Sequence, residues 1–167
     1  MQEWLAHVFI LHLKPRKILG RKFDLYVSYA HRLHHREPWA VEHVFVPTRV
    51  VLVMMLIVLP SITAMLALVL PFGVILSGLA TYTVFSVGYE WTHFLIHTGY
   101  KPRTRLFRKV WRNHRLHHFK NENYWFCVSM LRADYFMKTA PEPNLVEKSD
   151  TCRTLGEEFE REAVDAI

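Results

Sequence analysis

Cysteine is scarce in this chain of 167 residues, which contains only Cys127 and Cys152. That number excludes a small fold held together by several disulfides. The N-terminal stretch MQEWLAHVFILH lacks a basic start and is interrupted by two histidines, so we expect no secretory signal there. Low-complexity disorder is excluded as well, because eleven Phe, seven Tyr and five Trp supply many apolar groups. The length allows one domain.

Charge is absent from a long stretch, because no Asp, Glu, Lys, Arg or His occurs between Val50 and Tyr89. A bilayer span needs about 20 apolar residues, so a stretch of twice that length predicts two spans. We expect a helical hairpin formed by Val50–Leu70 and Phe72–Tyr89, with its turn at Pro71-Phe72-Gly73. The alternative is a buried hairpin of a soluble core, although such hairpins rarely run so far without a charge.

All 21 Lys and Arg residues lie outside this stretch, eight before it and thirteen after it. Basic flanks on both sides predict that both termini face the cytoplasm, with the hairpin tip on the opposite side of the membrane. Because the basic residues bracket a membrane segment, anionic lipid explains them better than nucleic acid does. We expect a membrane domain over residues 1–141, followed by an acidic, solvated tail over 142–167 without a functional role.

Histidine is abundant, with eleven residues, and ten of them are grouped. The motif HRLHH occurs twice, at 31–35 and at 114–118, which is an improbable accident. Only His43 stands apart, and we assign it no role. The ten grouped residues are the predicted metal ligands: His7, His12, His31, His34, His35, His93, His97, His114, His117 and His118.

The spacing within these groups suits metal ligation. Residues three or four apart share a face of a helix, so each HRLHH motif aims its imidazoles in one direction. Imidazole binds Fe, Cu, Zn and Ni, and ten imidazoles exceed the coordination sphere of one ion, so two metals are expected. Glu90 lies three residues before His93, and we expect it to orient a ligand histidine.

The predicted hairpin returns the chain to the side it left, so the histidines before and after it should meet at one membrane face. We expect the first pair to lie on a short helix that ends at Lys14-Pro15-Arg16. The aromatic segment Phe119–Met130 has two interpretations. It is either a membrane-interface belt or one wall of a substrate tunnel.

The ordered motifs HVFILH, HRLHH, HFLIH and HRLHH resemble those of the fatty acid hydroxylase/sterol desaturase superfamily, which comprises integral-membrane, non-haem di-iron enzymes. The strings YEWTHFLIHTGYKPR and WRNHRLHHFKNENYWF are similar to the fatty acid 2-hydroxylase-like branch. The resemblance covers about residues 2–141. It implies an all-α membrane helical bundle with one transmembrane hairpin and cytosolic-side helices that carry the histidine boxes.

The resemblance also implies O₂-dependent hydroxylation of a lipid, most simply a fatty acyl chain, at two iron ions. The chain has no reductase motif, so electrons would come from a ferredoxin or cytochrome b5 type of partner. The basic segment Lys101–Lys120 would either dock that partner or anchor the chain to the membrane. Carotenoid or sterol oxidation, and a non-catalytic zinc-binding membrane protein, remain as alternatives.

Members of this superfamily usually carry an earlier membrane hairpin that supplies the first histidine pair. Only six residues precede His7 in this sequence. We therefore expect the first hairpin to be missing and the helix that carries His7 and His12 to be poorly anchored.

Overall fold

The computed structural model describes residues 1–156, and these residues are mostly helical. The predicted all-α class is thereby confirmed. The α-helices are α1 (Gln2–Ala6), α2 (Tyr26–Arg36), α3 (Val41–Val44), α4 (Thr48–Val53), α5 (Leu59–Leu66), α6 (Phe72–His97), α7 (Arg105–Phe119) and α8 (Arg132–Phe136). Two π-helical turns, His7–Leu11 and Met54–Val58, extend α1 and join α4 to α5, and a 3₁₀ turn spans Pro143–Leu145.

One small antiparallel hairpin is added to the helices. Strands β1 (Arg16–Ile18) and β2 (Arg21–Phe23) pair with Arg16 opposite Phe23. Both residues of the connecting turn, Leu19 and Gly20, have positive φ, as a two-residue hairpin turn of type I′ requires. The hairpin connects the first histidine-bearing segment to α2.

The first predicted span, Val50–Leu70, is helical only as far as Leu66, and the helical stretch that contains it begins at Val41, with a break at 45–47. Pro60 sits inside this stretch without ending it, although proline removes a helical hydrogen bond. The π-helical turn Met54–Val58 lies just before Pro60 and loosens the local hydrogen-bond pattern. The turn of the hairpin differs from the prediction: it lies at 67–70, and Pro71 caps the next helix.

The second span, α6, is longer than the charge-free stretch predicts. It extends beyond Tyr89 to His97, and its 26 residues make it about 39 Å long. One continuous helix therefore carries an apolar segment at its start and the pair His93 and His97 at its end. The histidines of this helix are fixed to the spanning segment itself rather than to a loop behind it.

Both long helices expose apolar side chains instead of burying them. None of the most apolar 18-residue window of Val41–Leu66, and 6% of that of Phe72–His97, is buried within the protein. Leu56 is 72% exposed and Phe85 is 58% exposed. The core of a soluble protein would bury such side chains, so this exposure favours a hairpin in contact with lipid.

The buried apolar clusters of the protein lie near the end of this hairpin that is opposite its turn. One apolar cluster joins Trp4 of α1 to Phe126, Cys127 and Ala133. A second cluster joins Ile96 of α6 to Val110 of α7 and to Val128 and Leu131. The loop 120–131 thus packs against α1, α6 and α7 at once and ties the histidine-bearing helices together.

Helix α1 is firmly anchored, which corrects the expectation drawn from its short N-terminal extension. The Glu3 carboxylate accepts hydrogen bonds from the backbone N–H groups of residues 128–130 and from Ser129 Oγ at 2.7 Å. Trp4 Nε1 donates to Thr139 Oγ1 at 2.9 Å. These contacts hold the segment that carries the first histidine pair against the rest of the protein.

The described part of the predicted tail, 142–156, is packed against the rest of the protein. Ser149 N donates to the backbone oxygen of Lys120 at 2.7 Å, and Cys152 and Leu155 are each 4% exposed. This differs from the expected solvated end. Residues 157–167 lie outside the described residues, and the domain boundary at 141 stays a prediction.

The anchor of α1 generates a test. Glu3→Ala leaves up to four donors without their acceptor, which costs about 1–3 kcal/mol for a buried group. We expect a lower thermal unfolding temperature in detergent than for Glu42→Ala, which changes an exposed carboxylate on α3. Equal unfolding temperatures for the two variants would contradict the anchoring role.

Candidate metal centre

Helices α2 and α7 present their histidines on one buried face. His31, His34 and His35 of α2 and His114, His117 and His118 of α7 are all less than 9% exposed. The i, i+3 and i+4 spacing explains this arrangement, because such residues lie on one side of a helix. The side of α7 facing away from the histidines carries exposed basic residues: Arg105, Arg108, Lys109, Arg112 and Arg115.

A π-helical turn brings the first histidine pair together. On an α-helix, residues five apart point about 140° away from each other. Between His7 and His12 the backbone instead makes a hydrogen bond from His12 N to the His7 carbonyl at 3.0 Å, the i to i+5 pattern of a π-helix. The centroids of the two rings lie 4.9 Å apart. The Ser28 hydroxyl of α2 holds the turn by donating a hydrogen bond to the Ile10 carbonyl.

The structure brings all ten predicted ligands together in two groups of five. Within each group the ring nitrogens that face one another lie within 4.8 Å, and both groups fall among residues 1–156. The first group consists of His7, His12, His31, His35 and His117, and the second consists of His34, His93, His97, His114 and His118.

Both HRLHH helices contribute to both groups. Helix α2 gives His31 and His35 to the first group and His34 to the second. The rings of His35 and His118, which belong to different groups, stack with centroids 4.1 Å apart. The two groups are therefore adjacent and share their supporting helices.

The nitrogen separations fit metal coordination. His7 Nε2 lies 3.1 Å from His31 Nε2, and His114 Nε2 lies 2.9 Å from His97 Nε2. Two nitrogens bound to one ion at ~2.1 Å and at right angles would be about 3.0 Å apart. Each group could therefore hold one metal ion at its centre.

Burial keeps the imidazoles in the neutral form that binds metal. Desolvation, followed by mutual repulsion of neighbouring imidazoles, lowers the pKa of His31 and His34 well below the usual value. Burial also lowers the pKa of His117 to about 4. The same direction and the same leading cause hold for the pKa values of His7, His12, His35, His114 and His118.

Backbone carbonyls orient three ligands of the first group. The ring Nδ1 atoms of His7, His35 and His117 lie 2.5, 2.9 and 2.8 Å from the carbonyl oxygens of Phe126, Cys152 and Tyr124. An Nδ1–H that donates to a carbonyl leaves the Nε2 lone pair directed at the metal position. These contacts fix both the tautomer and the ring orientation.

Some ring nitrogens have no partner in the described structure. Both nitrogens of His34 and Nε2 of His12 are buried without a hydrogen bond. Leaving a buried polar atom unpaired costs about 1–3 kcal/mol, and a bound metal ion would remove that cost. The donor set, burial and unpaired nitrogens together fit a metal at each group.

The aromatic segment Phe119–Met130 forms part of the site. The interface-belt interpretation is wrong for Trp125 and Phe126, which are 1% and 6% exposed. The Phe126 ring lies 5.5 Å from the rings of His7 and His12, so it forms a wall of the first group. The sequence pattern did not reveal Asp134, whose carboxylate holds this loop by accepting from the N–H groups of Phe126 and Cys127.

Glu90 has a different partner from the one expected. Its Oε2 accepts from the backbone N–H of Val46 at 3.3 Å, rather than from a ligand histidine. It therefore fastens α6 to the chain between α3 and α4. His43 belongs to neither histidine group, as its isolation in the sequence indicates.

The lowered pKa of His117 predicts a pH dependence. Its folded pKa near 4 lies below the unfolded value of about 6.5, so the unfolded chain binds more protons between these values. The metal-free protein should lose stability as the pH falls through this window, by up to about 3 kcal/mol for this residue alone. Thermal unfolding in detergent between about pH 7.5 and pH 4 measures the effect. An unfolding temperature that does not fall with pH would contradict it.

Comparison with known proteins gives one match. A family model described as "Fatty acid hydroxylase" matches residues 1–139, which include all ten grouped histidines. Comparisons with curated proteins and with solved structures found no match. Since the match covers most of the chain, and the histidine spacing and the apolar hairpin agree with it, the chain belongs to the fatty acid hydroxylase family.

Proposed function

We propose that the ten grouped histidines hold two iron ions, one in each group, and that the protein is an O₂-dependent lipid hydroxylase of the fatty acid 2-hydroxylase-like branch. The observation that carries this proposal is the division of the ten imidazoles into two adjacent groups of five. The family is known for using iron, and its members are hydroxylase-type oxidoreductases. Neutral imidazole is a suitable ligand for iron.

The proposed reaction converts a C–H bond to C–OH with one oxygen atom of O₂. The other oxygen atom leaves as water, and the balance requires two electrons and two protons from outside. Iron, when bound, would supply the O₂ chemistry. The chain's own part is to keep the imidazoles neutral, to orient them through the carbonyls of residues 124, 126 and 152, and to exclude water by burial.

An open, mostly apolar pocket lies beside both groups, where an acyl substrate would approach the metals. It is lined by His31 of the first group, by His34 and His93 of the second, and by apolar side chains that include Val44 and Tyr89. The pocket lies between α2, the segment 43–47 and α6, next to the apolar hairpin. A chain that leaves the bilayer along α6 would reach both metals through apolar surroundings.

The electron donor is proposed from charge. The exposed basic side of α7 lies opposite its buried histidines, only one helix thickness from the second group. An acidic carrier of the ferredoxin or cytochrome b5 type would dock there by charge complementarity. The basic flanks of the hairpin also support the proposal that both termini and the metal site face the cytoplasm.

Zinc ligation without catalysis is the second candidate, because the donor set contains only imidazole and zinc binds such sites more tightly than ferrous iron. A sterol or carotenoid substrate is a further alternative within the same chemistry. Iron content and product analysis distinguish these candidates from the acyl hydroxylase.

The two-group arrangement predicts the effect of removing one ligand from each group. His34→Ala and His117→Ala should each lose about one of two metals per chain, because each removes a ligand from a different group. His43→Ala is the matched control and should keep both metals. Metal analysis of detergent-purified, anaerobically iron-loaded protein makes the measurement. Retention of two irons in both ligand variants would refute the assignment.

The hydroxylase proposal predicts an activity. Anaerobically purified protein loaded with ferrous iron, then given fatty acyl lipid, a reductant and isotopically labelled O₂, should yield a hydroxylated lipid carrying the label. His34→Ala should reduce this activity to background. Two bound irons with no labelled product from acyl lipids, sterols or carotenoids would contradict the catalytic proposal while leaving the metal assignment intact.

A further inference from the structure

Residues 149–156, here called the C-terminal strap, contact the first histidine group although they lie outside the family match at 1–139. The strap begins where Ser149 N donates to the backbone oxygen of Lys120, just beyond the end of α7. It ends with Leu155 buried and with Gly156 against the side chain of Lys14. The strap therefore connects the C-terminal ends of α2 and α7.

Arg153 fastens the strap to α2. Its Nε donates to the backbone oxygen of His35 at 2.9 Å, and its Nη2 donates to that of Arg36. These carbonyls lie in the last turn of α2, where helical partners are missing and the helix dipole favours a cation. The guanidinium also lies 4.8 Å from the Trp39 ring centroid and 5.9 Å from that of Phe119.

The neighbouring residue of the strap holds a ligand ring. The carbonyl oxygen of Cys152 lies 2.9 Å from His35 Nδ1, and both residues are buried. The second nitrogen of the same ring, His35 Nε2, lies 3.2 Å from His117 Nε2 within the first group. The position of the Cys152 carbonyl thus determines where the His35 lone pair points.

A third strap residue reaches a buried carboxylate. The Thr151 hydroxyl donates to Glu122 Oε1 at 2.5 Å, and Glu122 is 6% exposed. Glu122 lies close enough to His117 to act on it electrostatically. Thr151 thus ties the strap to a buried residue near the first group.

We propose that the C-terminal strap is a positioning element for the first metal only, with Arg153 as the residue that fastens it. Its described contact with a ligand ring is the one from the Cys152 carbonyl to His35, a member of the first group. The inference rests on the proposed function, since it requires a metal in that group. Neither residue 152 nor residue 153 lines the pocket beside the two groups; they act through His35.

The test compares metal release from iron-loaded full-length protein under a chelator. In Arg153→Ala, one of the two metals should be released roughly 10- to 100-fold faster, or be absent, while the other is unchanged. Arg153→Lys, which keeps one charged donor, should recover part of the loss. Arg21→Ala removes an exposed arginine of β2 and is the control.

Thr151→Val is a milder second variant that decides the question if Arg153→Ala does not fold. It should also accelerate release of one metal while the far-ultraviolet circular dichroism stays that of the wild type. Unchanged release, or equal acceleration for both metals, overturns the inference. Wild-type protein that binds no metal instead overturns the proposed function, so the two failures are distinguishable.

Discussion

The central constraint on this structure is the packing of ten imidazoles, eight of them buried and two partly buried, against one another. Ring nitrogens of different histidines approach to about 3 Å, and several have no hydrogen-bond partner among the described residues. Such an arrangement is costly for a protein without a cation, because buried polar atoms must be satisfied. The surrounding structure supplies the hydrogen bonds and the burial that hold these rings in place and keep them neutral.

The groups that hold the rings are mostly backbone carbonyls from residues far away in the sequence. The carbonyls of residues 124 and 126 hold His117 and His7, and the loop that carries them is itself fixed by Glu3 and Asp134. The hairpin contributes the other half of the support, because α6 carries His93 and His97 on the same helix whose apolar segment could span a membrane. Membrane insertion and site assembly therefore involve one element.

The sequence predicted the hairpin, the helical class and all ten grouped histidines, because period, charge and spacing are local signals. It could not predict the π-helical turn at His7–Leu11, since HxxxxH spacing on an ordinary helix would separate the rings. It also missed Glu3, which acts on residues about 125 positions away, and Cys152, which acts through its carbonyl. The residue type does not reveal which backbone atoms a side chain will contact. Glu90 is an example, because its partner is the backbone N–H of Val46 and not a histidine.

The division of each HRLHH motif between the two groups has a consequence for which changes reach both centres. Because His34 and His35 are consecutive residues of α2, the orientation of this one helix sets ligand positions in both groups. Loss of a single ligand, or of a single contact to one ring, acts on one group, whereas a change that turns α2 as a whole would act on both.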